Sequence, residues 1–283
     1  MLTVVFLGTS AFAVASLKAL ASDEHFKVAL VITQPDRPVG RKQTLTPPPV
    51  KLAAEQLGLK ILQSENINKE NQITNNQKPD FLVVVAFGQI LSQQIIDWPT
   101  IAAVNVHGSL LPKLRGASPV HHAILQGFTE TGVTVQRMVK ELDAGPILSQ
   151  TSVAIEPRET FATLHDKLAG LGAELLQRTL ATPLQETEQD KSQATFCKKL
   201  SREDGVAEPK TMDAATIDRM TRALTPWPGV TIGGNKILET SLEPASDALP
   251  VACAKNTTLY VRMIQPPSGK PMSGKAFASG RTL

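Results

Sequence analysis

Cysteine is scarce: the 283-residue chain has two, Cys197 and Cys253, isolated from each other and without metal-ligand spacing. That excludes a disulfide framework and a thiolate metal centre, and fits a reduced, cytoplasmic protein. Nor do the five histidines (His25, His107, His121, His122, His165) fall at a spacing that would hold a metal. No apolar run approaches the roughly 20 residues that cross a bilayer. The opening Met1-Leu-Thr-Val-Val-Phe-Leu-Gly8 enters a strand at once, without a basic n-region or cleavage site, so no secretory leader is expected. Glycine is missing where a dinucleotide fingerprint needs three: after the first strand only Gly8 is present, followed by Ala11 and Ala13. A conventional NAD site is therefore excluded, and no Walker-type Gly-Lys-Ser/Thr loop replaces it. There is also no internal repeat.

What is present is ordinary in bulk and uneven in charge. A hydrophobic fraction of 42% and a charged fraction of 19% belong to a globular protein, and the length suits two domains better than one. The net charge of +3 is not spread evenly: from Phe196 onward there are 12 Lys+Arg against 8 Asp+Glu, while residues 1–195 hold 17 against 18. A basic C-terminal part beside a neutral N-terminal one points to a polyanionic partner for the former.

Apolar strands alternate with helices through the first two-thirds. Val4–Leu7 reads as a strand, and Gly8-Thr9-Ser10 turns into a helix over Phe12–Ala21. Lys27–Thr33 is the next strand, followed by a long Pro-rich connection, a helix over Val50–Leu57 and a short strand at Lys60–Leu62. A polar helix near Asn66–Asn76 precedes Asp80–Ala86, which is apolar on both faces. This pattern predicts an α/β, Rossmann-like domain with a mostly parallel sheet covered on both sides, in which ligands bind beyond the carboxyl ends of the strands. After a helix over Thr160–Leu180, residues 181–205 carry a polar stretch without apolar periodicity and read as a linker. A helix over Asp213–Leu224, stopped by Pro226-Trp-Pro-Gly229, leads into short β-like runs that predict a small β-barrel or sandwich. The expected division is 1–180, linker 181–205, and 206–283.

The most informative stretch is Asn105-Val-His-Gly-Ser-Leu-Leu-Pro112, which follows the strand-like Ile101–Val104. Side chains two apart on a strand share a face, so Asn105 and His107 emerge together, an amide donor beside a proton-transfer group. Asp143 lies between the strand-like stretches Val133–Met138 and Ile147–Ile155, in a loop of the kind that presents reactive groups. Asn, His and Asp form a constellation suited to acyl transfer. The connection Gln34–Pro49 is long for a strand–helix link and carries Arg37, Arg41 and Lys42, with Lys51 just beyond, against Asp36. Such charges suit phosphate contacts.

Taken in order, several segments resemble the folate-dependent formyltransferases: Phe6–Ala13, Thr33–Arg41, Asn105–Pro112, Arg115–Pro119, Glu130–Thr134 and Leu142–Gly145. Arg222–Gly229 resembles the start of that family's C-terminal module, and Lys270–Phe277 its usual ending. The first loop and the Pro-Trp-Pro segment narrow the resemblance to the branch that acts on aminoacyl-tRNA. Where that branch has an Ile-Asp-aromatic segment, this chain reads Ala207-Glu208-Pro209, and its C-terminal module is shorter.

The resemblance implies a catalytic domain holding 10-formyltetrahydrofolate, without a metal, and a C-terminal OB-like barrel that helps hold tRNA. It implies formyl transfer to the α-amine of initiator methionyl-tRNA, with Asn105, His107 and Asp143 as the catalytic groups. By the same resemblance, Ser109, Leu110, Leu111 and Pro112 line the folate site, and Phe87, Gly88, Gln89 and Ile90 offer backbone to the pterin ring. Arg37, Arg41 and Lys42 would contact tRNA, Arg41 first among them. A monomer is expected. The competing reading is an amino-sugar-nucleotide N-formyltransferase using the same donor, which should lack the basic loop and the tRNA-type C-terminal module. A second is an RNA-binding module on an inactive Rossmann-like domain, against which the intact trio argues.

Overall fold

Runs of β-branched and aromatic residues with no polar alternation become the middle of a sheet, buried on both faces. In the computed structural model, which describes residues 1–40, 42–70 and 77–280, these are β1 (Leu2–Gly8), β2 (Phe26–Thr33), β6 (Phe81–Val85) and β7 (Ala102–His107), with the short, half-buried β5 (Ile61–Gln63) at the sheet's edge. The Pro-rich connection after β2 holds a hairpin, β3 (Arg37–Val39) and β4 (Thr44–Thr46). A two-residue β8 (Arg115–Gly116) precedes β9 (Glu130–Arg137) and β10 (Ile147–Ala154), and a two-residue β11 (Phe196–Cys197) comes later in the chain. The main sheet runs β10-β9-β7-β6-β1-β2-β5. From β5 to β7 every pairing is parallel; β9 joins β7 antiparallel.

The chain divides into two compact units, the first made of Met1–Pro119, Thr131–Val153 and His165–Phe196. Two layers cover its sheet. On one face Val5, Leu7, Ile32, Leu82, Val84 and Ala103 pack with Ile67, Phe87, Leu91, Ile95, Ile96 and Trp98. On the other, Gly172 of the Phe161–Leu180 helix lies so close to Val106 and Val133 that a Cβ there would sit 3.0 and 3.3 Å from their methyl groups. Odd and even positions of β7 thus face opposite layers, and Asn105 and His107 lie on the side of Ala103. Gly8 ends β1 where an added Cβ would meet Phe6, Ala13 and the Val85 carbonyl, so its role is close packing at the strand–helix turn. The polar segment near Asn66 begins with a 3-10 turn, Ile67–Lys69, rather than an α-helix; residues 71–76 of that expected helix lie outside the described residues.

The second unit comprises Val120–Glu130, Ala154–Leu164 and Cys197–Leu283. Its antiparallel sheet has the order β12 (Val230–Ile232), β13 (Asn235–Ser241), β15 (Thr257–Gln265), β14 (Leu249–Cys253), with β16 (Met272–Ser273) also on β15. The helix Ala214–Leu224 starts at Asp213, whose carboxylate accepts from Thr216 N–H at 2.8 Å. On it Asp218, 1% exposed, takes hydrogen bonds from Arg158, Arg222 and Thr240. No helix among the described residues is long and apolar enough to cross a membrane.

Candidate active site

Register fixes the centre of the site. Asn105 stands opposite Gln136, and His107, the last residue of β7, opposite Thr134. Four polar side chains from two neighbouring strands therefore share a face at the carboxyl end of the parallel set. Thr134 and Gln136 alternate with Val133 and Val135, a period-2 signal that had marked the strand but not the function of its polar positions.

His107 is 6% exposed. Its Nε2 lies 2.9 Å from the Leu114 carbonyl, which can only accept, so Nε2 carries the proton in that contact. Nδ1 faces Asp143 at 3.6 Å, an ion-pair distance longer than a hydrogen bond. Asp143 sits in a loop with φ 50°, a left-handed conformation costly for a non-glycine residue. Its two oxygens are both engaged: Oδ2 accepts from Gly116 N–H at 2.9 Å, Oδ1 from the Gln136 amide at 3.1 Å. The half-buried Asn105 amide has no hydrogen-bond partner among the described residues. The site thus joins a carboxylate fixed at both oxygens, an imidazole between carboxylate and carbonyl, and an uncommitted amide donor.

Hydroxyl groups hold the turn after β7. Thr134 Oγ1 donates to the Ser109 carbonyl at 2.7 Å and accepts from Leu111 N–H and from Gln150. Ser109 Oγ donates to the Lys113 carbonyl at 2.6 Å, Leu110 packs over Gly132, Leu111 is buried, and Pro112 follows a cis peptide bond. Residues 181–205, expected as a linker, pin this segment. Thr195 bonds to Leu114 and Arg115 N–H and to the Pro112 carbonyl, and Gln189 is buried beside Asp143. Nothing in the composition of that polar stretch marks either residue.

At the end of β6, Phe87 is buried and its carbonyl accepts from Thr9 and Gln34. Gly88 has φ 81°, a backbone that favours glycine, and lies against the Gln34 amide. The Gln89 side chain is spent on Ile67 N–H and the Ser64 carbonyl, and the Ile90 carbonyl accepts from Asn68. The Ile90 side chain is 83% exposed, and among the described residues the Gln89 and Ile90 N–H groups meet no acceptor.

In the basic loop, Lys51 is tied to Asp36 at 2.8 Å, and that pairing holds the Asp36 carboxyl below the usual range. Arg37 and Lys42 are exposed, Arg37 with only a 3.9 Å approach to Glu65. Arg41 lies outside the described residues. The hairpin also exposes Val39 and Leu45, two apolar groups the charge pattern had hidden. No cluster of three or more metal-binding side chains occurs among the described residues.

A mostly parallel sheet with an Asn–His–Asp cluster at the end of a central strand is the arrangement of one class, the formyltransferases. Residues 2–180 match the formyl transferase family and residues 199–282 its C-terminal domain, and the chain belongs to that family. Methionyl-tRNA formyltransferases are among its relatives. That of Lysinibacillus sphaericus is 40% identical over 99% of this chain and 96% of its own length. The enzyme from Methylococcus capsulatus is 40% identical over 99% and 97%, and that of Bacillus subtilis 38% over 99% and 95%. In fold the chain resembles an N-formyltransferase from Helicobacter canadensis, solved with folinic acid and dTDP-3-aminofucose, at TM-score 0.70 and 19% identity over 92% of this chain and 99% of that one. It also resembles glycinamide ribonucleotide transformylase 1 from Symbiobacterium toebii at TM-score 0.53 and 16% identity, over 64% and 86%.

Proposed function

We propose that this chain transfers the formyl group of 10-formyltetrahydrofolate to the α-amine of methionyl-tRNA, the modification that prepares the initiator for translation. The acceptor is carried by one observation, the near end-to-end match with methionyl-tRNA formyltransferases at about 40% identity. The chemistry is argued from the site. As the amine attacks the formyl carbon a C–N bond forms and negative charge grows on the formyl oxygen. The free Asn105 amide is the donor to that oxygen, and one such donor typically stabilises a transition state by about 3–4 kcal/mol. Collapse breaks the bond from carbon to N10 of the folate, N10 gains a proton and the former amine loses one. His107 is the group that moves that proton, which requires its Nε2–Leu114 contact to give way. Asp143 keeps a carboxylate beside Nδ1 and orients the ring.

Folate is assigned to two strand ends, with Ser109, Leu110, Leu111 and Pro112 lining one side. Phe87, Gly88, Gln89 and Ile90 offer backbone to the flat pterin, a role supported by the free N–H groups of Gln89 and Ile90. Arg37, Lys42 and, beyond the described residues, Arg41 are assigned to tRNA phosphates. In this reading residues 1–180 are the catalytic part, 206–283 an OB-like module that helps hold tRNA, and 181–205 the join. The enzyme acts in the cytoplasm as a monomer.

The test supplies 10-formyltetrahydrofolate with methionyl-tRNA, free methionine or an amino-sugar nucleotide and follows formyl transfer. The sugar reading is favoured only by fold likeness to sugar N-formyltransferases at under 20% identity. Transfer to the sugar nucleotide alone would replace this proposal with it; transfer to methionyl-tRNA but not to methionine supports it.

A further inference from the structure

Behind the carboxylate of Asp143 lies a chain of side chains whose hydrogen bonds all run in one direction. Arg115 is 2% exposed, and its Nε and Nη2 donate to Gln189 Oε1 at 3.1 and 2.8 Å. Its remaining charged neighbour, Glu141, is 3.8 Å away and exposed. A guanidinium has five donors and no acceptor, so the oxygen of Gln189 must face it. The Gln189 NH2 is thereby turned the other way: its two hydrogens go to the Gly145 carbonyl at 2.7 Å and the Asp143 carbonyl at 3.0 Å, and Gln136 Oε1, at the longer distance of 3.4 Å, shares one of them. Carbonyls only accept, which requires the same orientation independently. With its oxygen toward Gln189, Gln136 has its NH2 directed at Asp143 Oδ1, 3.1 Å away. A carboxylate also only accepts. Every link is consistent with every other, although an amide by itself has no preferred sense.

We propose that Gln189 and Gln136 are positioning residues, a relay that transmits the donor polarity of buried Arg115 to the Asp143 carboxylate. Gln136 holds Oδ1 at the angle from which it faces His107. Gln189 sets the sense of Gln136 and grips the backbone on both sides of Ala144, where Asp143 has φ 50°. Gly145 completes the clasp, because a Cβ there would overlap the Arg137 carbonyl oxygen. The inference rests on the reading of Asp143 as the group that orients His107 for formyl transfer. It gives Gln189, from a segment without helix or strand pattern, a part in the reaction.

The parent chain's own transfer to methionyl-tRNA reports on that reading, and three variants report on the relay. Gln136→Met removes only the last donor. Its kcat should fall about tenfold, with KM for both substrates within about twofold, as expected when the missing interaction counts only in the transition state. Gln189→Glu keeps an acceptor for Arg115 but turns acceptors toward two carbonyls and Gln136. It should retain its Tm within about 3 °C while kcat falls about tenfold or more, a parting of stability from turnover that a merely structural residue does not give. The double variant Q136M/Q189E should be no slower than Q189E alone, because both changes cut one chain. Should Q189E fold poorly, Q136M alone decides through its split between kcat and KM. Near-parental kcat in Q136M, or losses that multiply in the double variant, would overturn the relay while leaving the formyl-transfer reading intact.

Discussion

An amide without a partner and a carboxylate with both oxygens engaged serve different ends at the residue scale. Asn105 is free to donate because no acceptor among the described residues takes its amide, whereas Asp143 is fixed by Gly116 and Gln136 before any substrate arrives. Pre-oriented groups need no reorganisation as charge develops. Asn105→Ala should therefore lower kcat roughly 10²–10³-fold with little change in Tm, since the loss is of an interaction made in the transition state. Asp143→Asn keeps the shape, but its amide can place an NH2 against Gly116 N–H or the Gln136 donor. Turnover should drop by a similar factor, read by single-turnover transfer alongside circular dichroism. Near-normal rates in either variant would remove that residue from the mechanism.

Among the elements, the β3–β4 hairpin and the Ala214–Leu224 helix carry separate expectations. Just beyond the hairpin Lys51, in the helix Pro49–Gln56, is already neutralised by Asp36, so the hairpin charges available to a polyanion are Arg37 and Lys42, with Arg41 beyond the described residues. Arg37→Ala with Lys42→Ala should raise KM for tRNA and leave KM for folate unchanged. The slope of log affinity against log salt should flatten by about 0.7–0.9 for each phosphate that is no longer neutralised. An unchanged slope would place the tRNA backbone elsewhere. On the helix, Asp218 is buried between Arg158 and Arg222. Asp218→Ala leaves two guanidinium groups facing an emptied site and should cost about 3–5 kcal/mol in denaturant melts. A loss under about 1 kcal/mol would show that the Asp218 cluster as a whole supplies little.

Acid sensitivity belongs to the whole molecule. Burial is the main reason the His122 imidazole titrates below its usual range, and its Nε2 has no hydrogen-bond partner; the Asp204 carboxylate and the Lys198 ammonium are the charges around it. A histidine with a lowered folded pKa contributes stability above its unfolded value of 6.5, and that contribution is lost as pH falls through the folded pKa. Asp213, lowered chiefly by Lys255, and Asp204, lowered chiefly by Lys198, have the same sign: their stabilisation is present above 3.8 and lost below it. Melting temperature should be flat above about pH 7, decline gently below about 6.5 and fall steeply below about 4. His122→Phe should abolish the first step and keep the second; a variant that keeps both would assign the gentle decline to another group.

The sequence by itself pointed to the parallel part of the sheet, because apolar strands that alternate with helices bury both faces most readily in that arrangement. It also placed Asn105 and His107 on one face, because the strand period is two. Asp143 was legible as a loop carboxylate, and the order of motifs named the family. Only the tertiary structure decided what surrounds them. Gln189 and Thr195 come from a segment distant in sequence from the groups they hold, and hydrogen-bond partners at such separations leave no local periodicity. The register of β9 against β7 brings Gln136 across from Asn105, and chain closure brings Gln189 behind Asp143. A side chain's type fixes what it can donate or accept; which atom it meets is settled by packing alone.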